Sequence, residues 1–527
     1  MFQEGTQLAD TVDGQKIQER GFSRVAGLEL DNAELYVQTP KSKKPKWVDF
    51  ITPVTSSGLP SILTAAASAV LVIEQEGRAF AFPFGYGRSV LNLDRLEPNF
   101  GLKVALNSVD PSKLRSIDKK IYEDMVVSSS ISLSSQSDLS NFNLDTYSDI
   151  LRQATGTPRD LEFASRVSGA DSLTVNKEIG AAELPNFCAE LKGAFELDTY
   201  KEEFGWIDNL QIVRDKETIK SLNGELLEDL KSKQGSRTHL ALPENIDWQD
   251  IESFRIEGTN STVFPELDLS EVLSALKPKL PALTIEKLKR RRVGVVYARS
   301  DEVDYRWTLY RCLVSEQEVG EHLYALIEGS WFRIQKSLVN EVNEYMDTIP
   351  PSATHLPQHR IGEIENEYNA RLAATSPELL LLDRTTGAFK GESGSIELCD
   401  VFSTTGELIH VKRKSQSASL SHLFSQGQVS TSVLLGDAQY RKRMREKINV
   451  AAGDIDPSPW LSQLPENQDA LRQIKYKVTY AIVPSNSYQD SRWLPFFSKL
   501  NLMAQAKSLR LMGVEVAVNR IPSERYG

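Results

Sequence analysis

Apolar residues at every second position mark strands through much of the N-terminal region. Phe80, Phe82 and Phe84 alternate in GRAFAFPFGYGRS and run into Gly85 and Gly87, which predicts a strand that ends in a turn. The stretch VVSSSISLSSQSDLS (126–140) alternates as well and reads as strand or loop. The longest apolar run, LPSILTAAASAVLVI (59–73), is too short and too rich in Ala and Ser to span a bilayer, and a buried helix or strand is expected there. These segments make residues 1–200 a β-rich, mixed α/β N-terminal domain.

Helical periodicity takes over near Trp206, as in KETIKSLNGELLEDLKSK (216–233). The strand VGVVYA (293–298) follows the basic run KLKRRR (287–292). Two further strands are expected, RWTLYRCLV (306–314) and HLYALIEGSWFRI (322–334), and then a helix over 335–349. The prolines of IPPSATHLP (349–357) stop that helix and predict a linker, so a middle α+β domain is assigned to 201–350. Beyond it, over 355–527, the pattern predicts helix 361–374, strand 379–384, strands 396–402 and 408–414, helix 419–435, strand 476–483, helix 494–513 and strand 514–521. The order is αβββαβαβ, an α/β layer arrangement. The whole chain is therefore expected to be a multidomain α/β and α+β protein.

Composition changes this picture in two places. The net charge is −11, which argues against a uniformly basic nucleic-acid binder, yet residues 351–527 hold 21 Lys and Arg against 18 Asp and Glu. A local anion-binding surface is thus compatible with an acidic chain. The three cysteines, Cys188, Cys312 and Cys399, are widely spaced, so neither a disulfide framework nor a zinc site is expected. MFQEGTQLADTVDG lacks a basic n-region and an apolar core, so no signal peptide is expected. A cytoplasmic setting and no membrane partner are the expectations.

Candidate chemistry concentrates in IELCDVFSTTGELIHVKRK (396–414). If its halves pair about the loop STTGE, Phe402 faces Leu408 and Asp400 faces His410. Period-two alternation then sets His410 and Lys412 on one face, and opposed residues have Cβ atoms about 4.5–5.5 Å apart. A carboxylate, an imidazole and an ammonium so placed suit phosphodiester hydrolysis: the acid holds Mg²⁺ or Mn²⁺ and the lysine orients water and developing charge. Single residues also have plain structural readings. Strand lysines protect edges, an Asp beside a turn caps it, GYGR lacks the Lys-Ser/Thr and helix of a phosphate loop, and KLKRRR suits a domain surface.

The constellation resembles the PD-(D/E)xK nuclease superfamily, in which an Asp on one strand meets a Glu-x-Lys on the next. The resemblance implies a restriction-endonuclease-like C-terminal domain with Asp400 as first carboxylate, Lys412 as the lysine and Glu365 as the helix carboxylate, Glu363 and Asp383 standing behind it. Asp400 and Glu365 would hold the metal. His410 stands where that superfamily has a carboxylate, and neutral imidazole suits Mn²⁺ better than Mg²⁺. Arg413, Lys414, Arg441, Lys442 and Arg443 are the candidate phosphate contacts on DNA or RNA. Gln426 joins them from a helix face shared with His422 at i, i+4.

Several phrases together, among them FAFPFGYGRSVL, FGLKVALNSVD, GADSL, LYRCLVSE and IHVKRKSQSASLSHLFSQGQVS, resemble a sporadically distributed family of large prokaryotic proteins carrying a domain of unknown function. That likeness implies a bacterial protein from mobile and defence-associated gene neighbourhoods. Endonuclease action against phage or foreign DNA is the function it suggests. The alternative is a nuclease-like fold without metal that binds nucleic acid or regulates. A homo-oligomer is compatible with either.

Overall fold

The computed structural model describes the chain apart from residues 40, 41, 43, 57, 66, 123–125, 134–141, 143–148, 233–236, 244–250, 260–261, 298–302, 383–395, 414–419, 485–492 and 525–527. It divides into two compact units. One comprises Met1–Lys119, Ser129–Leu144 and Leu151–Gly205; the other comprises Lys120–Ser128, Asp145–Ile150 and Trp206–Gly527. The middle and C-terminal regions, expected as two domains, thus share one unit. Among the described residues, no helix is long and apolar enough to cross a membrane.

The first unit begins with an antiparallel meander, β1 (Phe22–Val25), β2 (Ala33–Gln38), β3 (Ser68–Gln75) and β4 (Arg78–Phe84), in that spatial order. Only the second half of the 59–73 apolar run lies in β3; Leu63 in the first half is exposed. The GYGR segment is a packing turn. Gly85 has φ +56°, and a Cβ at Gly87 would lie 2.0 Å from the Ala69 carbonyl oxygen, so backbone runs where a side chain would stand. A second close approach joins two of the quoted phrases. A Cβ on Gly169 of GADSL would meet the Gly101 carbonyl oxygen at 1.8 Å, which brings helix α1 (Phe100–Ser108) onto the strand Arg166–Gly169.

In the second unit, RWTLYRCLV is not one strand. Thr308 ends the strand Val303–Thr308, accepts the Arg311 amide through its hydroxyl, and caps a short helix, Leu309–Cys312, before the strand Leu313–Val319. HLYALIEGSWFRI is likewise two strands, His322–Ile327 and Ser330–Ile334, because Glu328 (φ 52°) and Gly329 (φ 83°) form a turn. KLKRRR is held locally: Lys287 donates to the Ala282 carbonyl at 2.5 Å, and Arg292 pairs with Glu257 at 2.6 Å.

The C-terminal sheet holds five strands in chain order, β5 (Leu379–Leu381), β6 (Val401–Ser403), β7 (Glu407–Arg413), β8 (Lys477–Val483) and β9 (Glu515–Arg520). The first three are antiparallel neighbours, whereas β7, β8 and β9 are parallel. Helix α2 (Glu365–Ala373) covers one face, where Tyr368 and Leu372 meet Val401, Ile409, Val411, Ala481 and Val483. Helices α3 (Leu420–Gly436) and α4 (Phe496–Leu511) serve the other face, with Leu408, Val478, Tyr480 and Ile482. This alternation along β7 and β8 is the period-two division the sequence predicts. On that second face Gly427 makes room for Tyr480, whose hydroxyl donates to the Phe424 carbonyl at 2.8 Å.

The expected order αβββαβαβ is present, with three more helices between α3 and β8. The longest, Ala438–Ala452, is capped by Asp437 and buries Tyr440, Met444, Ile448 and Ala452 at four-residue spacing. The proline segment expected as a linker is instead tied down. Pro350 accepts the Val518 amide at 3.2 Å, and the Ser352 amide donates to Asn519 at 2.8 Å.

Candidate functional site

The site is built on an unfinished edge. β7 pairs with β8 along its whole length, from Glu407↔Lys477 to Arg413↔Val483, but with β6 only at Phe402↔Leu408 and Val401↔Ile409. That register is the expected one. The strand expected over 396–402 is shorter, because the chain leaves the ladder at Asp400. Among the described residues, no strand bonds the amides of β7 that face β6 past Ile409.

Two carboxylates take that place. Asp400 Oδ2 accepts the Val411 amide at 2.7 Å, and Glu365 Oε2 accepts the Arg413 amide at 3.3 Å. Amides two residues apart point to the same edge and lie about 6.6 Å from each other, so the two acids stand side by side along it. Glu365 Oε1 also accepts from Lys412 Nζ at 3.2 Å, and both side chains are partly exposed. Asp400, Glu365 and Lys412 are therefore gathered at one end of one strand. The glutamate comes from the first turn of α2, where a negative charge also favours the helix dipole.

His410 is placed differently. It is buried, its ring tilts against Tyr480 with centroids 6.1 Å apart, and its Nε2 makes no hydrogen bond among the described residues. Burial pushes its pKa down to about 4, so the imidazole is neutral near pH 7. The shared imidazole–carboxylate contact expected of Asp400 and His410 is not made through Nε2. The acid lies in the plane of the sheet, bonded to backbone, and the imidazole projects into the core.

Glu363 serves as a structural anchor. Arg371 grips its carboxylate with two bonds of 2.7 Å and the Arg360 amide adds one of 2.8 Å. The guanidinium beside it lowers its pKa to about 2. Arg413 is exposed, with Nη1 3.5 Å from the Glu363 carbonyl oxygen. Arg441, expected on a phosphate-facing surface, is instead buried. Its guanidinium donates to the Leu434 and Leu435 carbonyls and to Gln468, closing the end of α3. Lys442 is exposed and Arg443 half-buried on the next helix; Gln426 is half-buried and His422 exposed on α3. Lys414 and Asp383 lie outside the described residues.

What sequence reasoning missed are the backbone amides of Val411 and Arg413. They fix the acids more directly than the opposed side chains do. The signal was available: a strand that pairs on one side only must satisfy its other amides elsewhere.

The donor set suits an ion held from one side. Among the described residues, no three His, Cys, Asp or Glu side chains come together as a ligand group. Two carboxylates on one edge can still take a magnesium-like ion that keeps several waters and gains phosphate oxygens from a substrate.

The second unit thus carries an α/β sheet with acidic and basic side chains at the carboxyl end of a central strand, the usual location of sites in such sheets. The chain belongs to a family of unknown function, DUF6119, whose family model matches residues 3–522. No curated protein and no solved structure matches it.

Proposed function

We propose that this chain is a metal-dependent, nuclease-like protein that hydrolyses phosphodiesters of DNA or RNA, in defence against phage or foreign DNA. The observation that carries the reading is the meeting of Asp400, Glu365 and Lys412 where β6 and β7 part. The arrangement is similar to the PD-(D/E)xK pattern, as is the order of helices and strands around it. Defence rests on the family resemblance alone.

Asp400 and Glu365 are the residues that would hold Mg²⁺ or Mn²⁺. When bound, the ion polarises the phosphate and lowers the pKa of a coordinated water. Lys412, released from Glu365 or shared with it, would orient that water and offset charge on the phosphate. Arg413 would contact the backbone of the substrate at the strand's exposed end. The buried His410 would support the strand from the core rather than ligate.

The test is cleavage of plasmid DNA and of RNA with Mg²⁺ or Mn²⁺ by wild type, Asp400→Ala and Lys412→Ala. Loss of cutting in both variants is the expected result. Cutting that survives both substitutions removes this site from consideration.

A second reading is favoured by His410 itself, which replaces the usual carboxylate and is buried. On that reading the fold has given up metal and binds nucleic acid through Lys412, Arg413 and neighbouring cations. Metal-independent, salt-sensitive binding without cleavage would establish it.

A further inference from the structure

The strands Val263–Phe264, Ile251–Ile256, Arg292–Tyr297 and Val303–Thr308 form an antiparallel sheet of the second unit, in that spatial order. One face is core, where Phe254, Ile256, Phe264, Val293, Val295 and Trp307 are buried. Period-two alternation turns the residues between them to the other face. Val263, Arg255, Gly294 and Tyr305 are successive cross-strand partners and make one row across it.

Tyr305 and Trp307 are two residues apart and would share a face in a regular strand. The register skips Arg306, pairing Val293 with Trp307 but Gly294 with Tyr305. That bulge sends the tryptophan into the core and the tyrosine outward, where it is 37% exposed. Gly294 makes room for the ring. A Cβ there would lie 2.9 Å from Tyr305 Cδ1 and 3.2 Å from Cε1, so the ring comes down against the backbone. Arg292 is stacked on it, Cζ 4.7 Å from the ring centroid, and Glu257 fixes that guanidinium with bonds of 2.9 and 2.6 Å.

The charge of Arg292 is thus answered within the sheet, and that of Arg255 is not. Arg255 is half-buried between Val263 and Gly294; its Nε is buried without a hydrogen bond, and it forms no ion pair among the described residues. A guanidinium withdrawn from water and left unpaired costs free energy and calls for an anion. The run KLKRRR leads into this face, with exposed Arg290 ending a helix just before Arg291 and the strand that starts at Arg292.

We propose that this face binds single-stranded nucleic acid, with a base on the Arg292–Tyr305 layers and a phosphate on Arg255, two strand spacings or about 10 Å away. Planar side chains stack on any base, and arginine adds attraction for the backbone. A duplex keeps its base faces inside the stack, so the platform favours an unpaired strand. An acidic peptide would satisfy Arg255 but leave the stacked planes unused. The surface needs no metal, so it stands independently of cleavage at Asp400.

The experiment is fluorescence anisotropy of the full chain with labelled oligo(dT), oligo(U) and a duplex of the same length, in EDTA at several salt concentrations. Wild type is expected to bind at least one single strand roughly tenfold tighter than the duplex, and more weakly as salt rises. Tyr305→Ala should weaken that binding roughly tenfold, whereas Tyr305→Phe keeps the ring and should bind as wild type. Arg255→Gln should weaken it severalfold and reduce the slope of log affinity against log salt by about one. That substitution removes a charge no protein group pairs, so the fold persists and the test holds even if Tyr305→Ala unfolds. Three results would each overturn the proposal: no binding to either strand, duplex bound as tightly, or binding that Arg255→Gln and Tyr305→Ala both leave unchanged. Poly-glutamate bound through Arg255 while the oligonucleotides are ignored would also overturn it, and would give the face to a protein.

Discussion

The two ends of β7 each involve a glutamate, and the contrast between them separates scaffold from site. At the start of the strand Glu407 is buried. Its carboxylate accepts the hydroxyls of Ser352, of Thr354 at 2.5 Å and of Thr479 at 2.5 Å. Ser352 and Thr354 come from the proline segment that crosses there. At the far end Glu365 is partly exposed and holds an ammonium and an amide, both of which water or a ligand can replace. One carboxylate is sealed by neutral donors and the other stays exchangeable. Similar chemistry therefore serves different ends according to which end of the parallel strand it occupies, and the carboxyl end is the open one.

The largest expected effect lies at the open end. Asp400→Ala and Lys412→Ala should each lower metal-dependent cleavage at least about a hundredfold, the usual scale for removing a group that stabilises developing charge. Denaturant unfolding should show the folded state changed by only about 1 kcal/mol for Lys412→Ala, because its partner is a half-exposed acid. Stability lost in step with activity would show the residues to be scaffold.

The sealed end should behave in the opposite way. Glu407→Ala leaves three hydroxyls around a void and should cost about 3–4 kcal/mol in urea unfolding. The specific activity of the folded fraction should be unchanged. A variant as stable as wild type would mean that the proline segment is held by its other bonds, through Pro350 and Asn519.

Much of the open end could be read from the chain, the sealed carboxylate of Glu407 could not, and the misreadings have physical causes. The hairpin register followed from alternation about STTGE, so Phe402 does face Leu408. Lys412 and Glu365 meet as the α-then-strand order suggested. His410 was legible as a same-face neighbour of Lys412 but not as a core residue. The reason is that burial of a polar ring depends on Tyr480 and the helices behind it, which come from distant sequence. Arg441 misled for a similar reason: in YRKRMREK its charge reads as surface, and only the end of α3 shows the carbonyls it serves. The proline segment read as a linker because its prolines do stop a helix, and its bonds to β9 are invisible to local pattern.

His410 offers a smaller effect, measured against acid. Its folded-state pKa, about 4, lies below the ordinary 6.5, so the unfolded chain binds the proton first as pH falls. Its contribution to stability is therefore complete above about pH 6.5 and is lost progressively toward pH 4. The full loss is about 3 kcal/mol. His410→Leu should flatten this part of the pH dependence of urea unfolding. A slope identical in wild type and variant would mean that the imidazole is protonated in place, which would put it in reach of water and of the site.

The smallest expected effect tests the exchangeable pair directly. A double-mutant cycle with Lys412→Met and Glu365→Gln should give a coupling of about 0.5–1 kcal/mol in unfolding free energy, since both side chains are partly exposed and separated by 3.2 Å. Raising the salt concentration should shrink it, because solvent screens a pair in this position. Mg²⁺ or Mn²⁺ should shrink it as well if the ion draws Glu365 away from the lysine. A coupling that ignores the ion but falls with salt would leave the pair as an edge clasp and favour the reading without metal. A coupling that falls with the ion at constant ionic strength would tie Glu365 to the same centre as Asp400, which the sealed carboxylate of Glu407 cannot imitate.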